Sequence, residues 1–234
     1  MKFLLFANTE WYLFNFRRSL ALALVDAGHE VLLVSPPGPY GERLRALGLR
    51  WLPAPMKRRS LNPLRALVMV WWLRELMVRE RVDLVHNYTM ICVIFGSVAA
   101  RWAGVSARVN AVTGLGYVFT SQDTKARLLR PWVRLALGLA LGGGIRKRGA
   151  AGRDTGHGSL MPGSGPREGG MRLILQNLDD VFLFLRGGLV DPEQVRLIPG
   201  SGVDCQRFAP ESQAMAGTAR SPAPVAGAPH PSPA

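Results

Sequence analysis

Cysteine is nearly missing from this chain: Cys92 and Cys205 are the only two in 234 residues. They stand alone, with no CxxC or Cys/His spacing, which excludes a disulfide-stapled scaffold and a structural zinc site, so no metal is expected. Acidic side chains are scarce beside basic ones, 16 against 29, for a net charge of +13. That imbalance favours an anionic partner: a membrane surface, phosphates or nucleic acid. Long apolar runs are lacking as well. The longest stretch without a full charge, residues 84–100, contains His86, Asn87 and Thr89 and falls short of the ~20 apolar residues that span a bilayer. The opening run from Phe3 to Ala7 is too short for a signal-peptide core and reads as a strand. Asn8-Thr9-Glu10-Trp11 follows it, where a dinucleotide-binding protein would carry G-x-G-x-x-G, and this weakens a dehydrogenase reading.

What is present is an ordinary globular composition, 48% apolar and 19% charged, laid out as short apolar runs alternating with helical patterns. Strands are predicted over 2–7, 30–35, 50–54, 82–86, 107–112, 173–176 and 194–198. Helices are predicted over 12–27, 40–47, 62–81, 90–103, 124–141 and 179–186. Gly28, Gly48 and Gly104 stand where helices end, and Asn62-Pro63 supplies an N-cap and a first-turn proline. This alternation implies an α/β fold, a Rossmann-like parallel sheet with helices on both faces, built from right-handed crossovers. Residues 1–141 and 172–210 form that domain. Residues 142–171 interrupt it: positions 142–170 hold 11 glycines together with Arg146, Lys147, Arg148, Arg153 and Arg167, a composition with little to pack and read as disordered. The Ala/Pro-rich tail, 211–234, is read the same way.

In open α/β sheets ligands meet the carboxyl ends of strands, so the loops there hold the candidates. Asn8, Asn15 and Arg17 surround the first such loop, where a capped turn with a solvated arginine is the competing reading. His86 closes the predicted fourth strand as either a ligand contact or a structural residue. Thr113, Gly114 and Gly116 form a turn whose glycines permit positive φ and close backbone approach, or simply lead into the next helix. Two helices carry the charge argument. One includes Trp71 and Trp72 and follows Lys57, Arg58 and Arg59; the other carries Arg127, Arg130 and Arg134 at i, i+3 and i+7. Those eight residues are expected to meet an anionic leaflet, each arginine or lysine contributing about 1 kcal/mol; a solvated basic face is the alternative. Nucleic acid is not expected as a partner, because interleaved aromatics and an RNA-binding fold are lacking.

The strings NTEWYLFNFR, GHEVLLVSPPGPYGERL, VDLVHNYT, VNAVTGLGYVFTS, QNLDD and GSGVDCQRFAP together resemble the N-terminal domain of bacterial family 4 glycosyltransferases. The resemblance implies the acceptor-side half of a GT-B fold. It implies a retaining transfer of sugar from a nucleotide-sugar, which is a substrate and not a cofactor, to a polyprenyl-phosphate-linked or glycan acceptor. It implies a cytoplasmic protein held peripherally on the inner face of the cytoplasmic membrane. Asn8, Asn15, Arg17, His86, Thr113, Gly114 and Gly116 become the substrate-facing set, with Thr113 at the position where many members carry a histidine. No E-x7-E pattern of the donor-binding half follows Pro210, so the chain as written is expected to be truncated and inactive alone. The alternative is a non-catalytic basic module that binds a membrane or a phosphorylated ligand and works with a partner chain.

Overall fold

A computed structural model describes residues 1–56, 62–114, 118–119, 121–142, 170–200 and 202. All but Gly202 fall in one compact unit, Met1–Ser201; Gly202–Ala234 is a separate unit. Seven strands run β1 (Lys2–Phe6), β2 (Glu30–Ser35), β3 (Arg50–Pro53), β4 (Leu84–Tyr88), β5 (Ala107–Val112), β6 (Met171–Leu175) and β7 (Val195–Leu197). They form a single sheet in the order β3-β2-β1-β4-β5-β6-β7, each neighbouring pair parallel. The order reverses between β1 and β4, so the chain leaves these adjacent strands toward opposite faces, which opens a crevice at their carboxyl ends.

One face is covered by α1 (Glu10–Tyr12), a π-helical turn (Leu13–Arg17), α2 (Arg18–Asp26) and α3 (Tyr40–Ala46). There Leu13, Ala21 and Leu44 pack on Leu5, Val31, Leu33 and Tyr88. The other face is covered by α4 (Pro63–Glu80), α5 (Met90–Ala103), α6 (Thr124–Leu141) and α7 (Leu178–Arg186). Leu73, Met77 and Ala99 meet Leu4, Phe6, Leu32 and Val85 there, while Val93, Leu137 and Phe184 meet Val112, Leu173 and Leu175. Burial on both faces explains why β1 and β2 read as continuous apolar runs instead of alternating ones. Asn62 caps α4 through Oδ1, which accepts from the Leu64 and Arg65 amides, and Gly104 ends α5 at φ 77°.

At the amino edge of the sheet, Glu80 accepts two hydrogen bonds from Arg50, at 2.7 and 2.8 Å, and one from Lys2 at 3.4 Å. Lys2 also pairs with Glu30 at 2.9 Å. The Arg50 guanidinium holds the Glu80 carboxyl below its ordinary pKa. Farther along, Arg108 in β5 gathers the chain on either side of residues 143–169: its amide reaches the Gly170 carbonyl and its Nη1 the Ala140 carbonyl, both at 3.5 Å.

Most element boundaries lie within a residue or two of the expected ones, and β4 is shifted. It starts at Leu84 and ends at Tyr88, two residues beyond the expected close at His86. The shift arises because Arg81 ends α4 in the left-handed region at φ 53°, and Val82 and Asp83 are spent on the turn. The glycine/arginine-rich interruption and the tail lie outside the described residues, apart from Gly142 and residues 170–171.

Candidate functional site

The carboxyl edge gathers the loops after β1, β4 and β5. After β1, the Thr9 hydroxyl accepts from the Tyr12 amide at 3.1 Å and starts the helix. The next turn winds as a π-helix. In an α-helix residues five apart point about 140° away from each other; the wider i→i+5 turn brings them to the same side, and π-turns recur at functional sites. Here it lays Arg17 beside Tyr12: Nη2 donates to the Tyr12 hydroxyl at 2.7 Å, and the guanidinium sits 5.2 Å from the Tyr12 ring and 4.6 Å from the Tyr88 ring. A half-buried guanidinium set against two aromatic rings is held in one place.

Beneath it lies His86. Because β4 runs on to Tyr88, His86 does not close its strand; it sits two residues inside, paired in register with Leu5 and Val109. Its ring stacks 4.1 Å from that of Tyr88, and the Tyr88 hydroxyl lies 2.8 Å from Nδ1. Burial, reinforced by the nearby Arg17 charge, lowers the His86 pKa to about 3, so the ring is neutral. Burial also raises the Tyr88 phenol, which keeps its proton. The Tyr88 hydroxyl and Nδ1 share a hydrogen bond, and Nε2 is a buried atom with no hydrogen-bond partner among the described residues. A histidine held neutral in this way is not a general acid at neutral pH.

Asn87, next along β4, points to the opposite face and is fully buried. Its Nδ2 donates to Asn110 Oδ1 at 2.9 Å, which also accepts from Ser97 at 2.9 Å. The polar cluster of residues 86–89 is therefore divided by the pleat of the strand, and Asn87 locks β4 to β5 and α5 away from the ligand edge. Thr89 closes the strand at φ 70° and ψ 152°, a region almost confined to glycine, and such backbone strain concentrates at binding and catalytic sites.

Asn8 follows β1 half-buried. Asn15 turns back on its own helix, donating to the Trp11 carbonyl at 2.9 Å. Thr113 is half-buried after β5, and Gly114, at φ 154°, has open space where a side chain would stand. Gly116 lies outside the described residues. Arg17, His86 and the carboxyl-edge turns thus come to one end of the sheet, while Asn15 serves its helix. Tyr12 and Glu10 were not among the expected site residues. Tyr12 is recognisable only once the π-turn is known. Glu10 is 8% exposed, with both carboxylate oxygens against Gly38 after β2. An acid one residue past a capping threonine was the signal that the sequence did offer.

The basic residues expected at a membrane separate into three groups. Lys57, Arg58 and Arg59 lie outside the described residues. Arg130 is turned inward, donating to the carbonyls of Val118 (2.8 Å), Phe119 (3.3 Å) and Ser121 (2.5 Å). It secures the segment after β5 and is not free to meet a surface. Trp72 packs against the core, because neighbours on a helix diverge by about 100°, whereas Trp71 is 58% exposed. Arg127 and Arg134 are exposed. No helix among the described residues is long and apolar enough to cross a membrane.

A seven-stranded parallel sheet with its order reversing between β1 and β4 is a Rossmann-like domain of the kind found in GT-B glycosyltransferases. The chain belongs to the glycosyl transferase 4-like family, which it matches over residues 2–140. Over 118 residues it is 32% identical to an N,N'-diacetylbacillosaminyl-diphospho-undecaprenol α-1,3-N-acetylgalactosaminyltransferase of Campylobacter jejuni, covering 50% of this chain and 31% of that one. Over 138 residues it is 28% identical to a UDP-Gal:α-D-GlcNAc-diphosphoundecaprenol α-1,3-galactosyltransferase of Escherichia coli, covering 59% of this chain and 28% of that one. The chain therefore spans less than a third of the length of these relatives. Among solved structures, a glycosyltransferase from Rickettsia africae superposes with a TM-score of 0.56 at 14% identity, over 92% of this chain and 48% of that one. Anabaena HepE, crystallised with UDP and glucose, superposes with a TM-score of 0.54 at 14% identity, over 88% of this chain and 46% of that one. At such identities the likeness concerns the fold.

Proposed function

We propose that this chain forms the acceptor-side half of a retaining glycosyltransferase that moves a sugar from a nucleotide-sugar to a polyprenyl-diphosphate-linked or glycan acceptor. The bond from the sugar's anomeric carbon to the nucleotide diphosphate breaks, a new bond to an acceptor hydroxyl forms, and the hydroxyl proton leaves. The observation that carries the proposal is Arg17, held between Tyr12 and Tyr88 at the carboxyl edge, in a family whose two relatives above are named for diphospho-undecaprenol acceptors. A planar guanidinium presented on a rigid aromatic support suits an acceptor phosphate. His86 beneath it and the open turn at Thr113 and Gly114 complete the substrate-facing set, with Asn8 beside them.

The same proposal places the protein peripherally on an anionic membrane, at the inner face of the cytoplasmic membrane where lipid-linked acceptors are elongated. Its support is the +13 charge and the exposure of Trp71 on α4 and of Arg127 and Arg134 on α6, the two helices that flank α5. The test is binding of a short-chain polyprenyl diphosphate, followed by calorimetry. Arg17→Ala is expected to weaken binding by roughly tenfold or more, the scale of one lost charge-assisted pair, while Asn15→Ala leaves it unchanged. Equal affinity for Arg17→Ala and the parent chain would remove Arg17 from the acceptor site.

A further inference from the structure

Helices α6 and α7 lie side by side, and the groove between them, about 410 Å³, is lined by Arg134 on α6 and by Asp179, Phe182, Leu183 and Arg186 on α7. Neither guanidinium has a hydrogen-bond or ion-pair partner among the described residues; Arg186 only rests 5.9 Å from the Phe182 ring. Two cations facing one carboxylate leave the groove net positive. Exposed apolar side chains stand on both helices. On α6, Leu128, Trp132, Leu135 and Leu139 recur at i, i+4, i+7 and i+11, which places them within about 60° of one another around the helix. Trp132 is 68% exposed and Leu128 72%. On α7, Leu178 and Phe182 are more than half exposed one turn apart. Arg134 stands at least about 100° around α6 from the four residues of that helix's stripe, on the side toward α7. An outward apolar stripe with arginines toward its polar flank is what an interfacial helix presents, and patches of this kind mark interaction sites.

We propose that the α6–α7 groove binds the phosphate of an anionic phospholipid headgroup through Arg134 and Arg186, with the Leu128–Trp132–Leu135–Leu139 stripe seated among the acyl chains beside it. The inference rests on the membrane reading above and deepens it from a diffuse charge attraction to a headgroup site. Charge favours this occupant over a second copy of the chain: two such grooves brought together would carry four guanidiniums against two carboxylates. Trp132 at the border of the stripe agrees with the preference of tryptophan for the headgroup level.

The whole chain is to be sedimented with vesicles of phosphatidylcholine alone and with vesicles of phosphatidylcholine mixed with phosphatidylglycerol, alongside R134A/R186A, W132S/L135S and, on α4, W71S. All substituted side chains are exposed, and matching circular dichroism spectra verify the fold. The parent chain is expected to prefer the mixed vesicles. R134A/R186A should lose roughly thirtyfold in apparent affinity for them, the loss expected for two surface-facing arginines, and W132S/L135S should release the chain from both kinds of vesicle. Failure of the parent chain to bind either vesicle overturns the membrane reading itself. Undiminished binding by R134A/R186A, with loss in W71S, overturns the groove and leaves the membrane reading standing. Soluble glycerol phosphate that displaces the chain from vesicles at equal phosphate concentration overturns the lipid source in favour of a free phosphate. A lipid-free dimer that W132S/L135S converts to monomer overturns it in favour of self-association.

Discussion

The guanidinium of Arg17 lies 4.6 Å over the ring of Tyr88 while its Nη2 donates to the hydroxyl of Tyr12, so one cation joins the first turn after β1 to the last residue of β4. These are the two strands between which the sheet order reverses. Lysine keeps the charge but has neither the plane nor the fork. Arg17→Lys should therefore cost about 1 kcal/mol of stability, the scale of a partly desolvated cation–π contact. Chemical denaturation at two ionic strengths checks this: a stacking contact persists at high salt, and a loss confined to low salt would point to simple charge attraction.

His86 gives the stability a pH dependence. Its pKa falls from 6.5 to about 3 on folding, so between those values the unfolded chain binds the extra proton. Stability attributable to His86 is complete above pH 6.5 and declines as the pH falls toward 3, at a slope approaching about 1.4 kcal/mol per pH unit. Glu80, whose carboxyl is held below 4.5, loses its contribution only at lower pH. The interval between pH 6 and 5 thus reports mainly on His86. Unfolding free energies measured across it should be flatter in His86→Gln than in the parent chain.

The Asn87–Asn110–Ser97 trio has no route to water, so breaking it leaves polar groups stranded. Asn110→Ala removes the acceptor for two donors at once and should cost about 2–4 kcal/mol. Ser97→Ala on top of it should add little, since the Ser97 hydroxyl has by then already lost that partner; a double-mutant cycle measures the coupling. Gly96→Ala would place a methyl 1.8 Å from Asn87 Oδ1, and it should destabilise by a similar amount through overpacking.

Gly38 and Glu10 are coupled by space. A Cβ at position 38 would stand 2.1 Å from Glu10 Oε1, so Gly38→Ala must displace a buried carboxylate. The expected cost is about 1–3 kcal/mol in the parent chain and close to nothing in a Glu10→Ala background. Equal costs in both backgrounds would show that the backbone at 38, and not the carboxylate, requires glycine.

Much of the architecture was legible because its signals are local. Asn62-Pro63 and Gly104 mark helix ends through capping chemistry, and the helices over 90–103 and 124–141 have the bounds expected. The end of β4 was hidden because asparagine is a poor strand former, and Asn87 joins the sheet through pairing with Phe6 and Asn110, partners distant in sequence. The π-turn at Leu13–Arg17 leaves no periodic trace that separates it from an α-helix, so the contact between Arg17 and Tyr12 could not be foreseen. Among the expected membrane contacts, Trp71 and Trp72 read alike in a one-dimensional pattern, and tertiary packing alone buries one and leaves the other outside. Arg130 illustrates the same limit: a basic side chain within reach of three carbonyls is a brace, whatever stripe it shares with Arg127 and Arg134.

Arg108 holds the carbonyls of Ala140 and Gly170, so the two ends of the intervening stretch are tethered to one residue, one through its side chain and the other through its backbone amide. The sheet is therefore insensitive to how much chain runs between them, since lengthening a closed excursion costs only about 0.6 kcal/mol per doubling. A guest domain spliced between residues 143 and 169 should leave the five β5–β6 residue pairs intact. A backbone cut in the same stretch should yield two fragments that find each other again through that shared strand register, which makes this the natural place to split the protein for a complementation reporter.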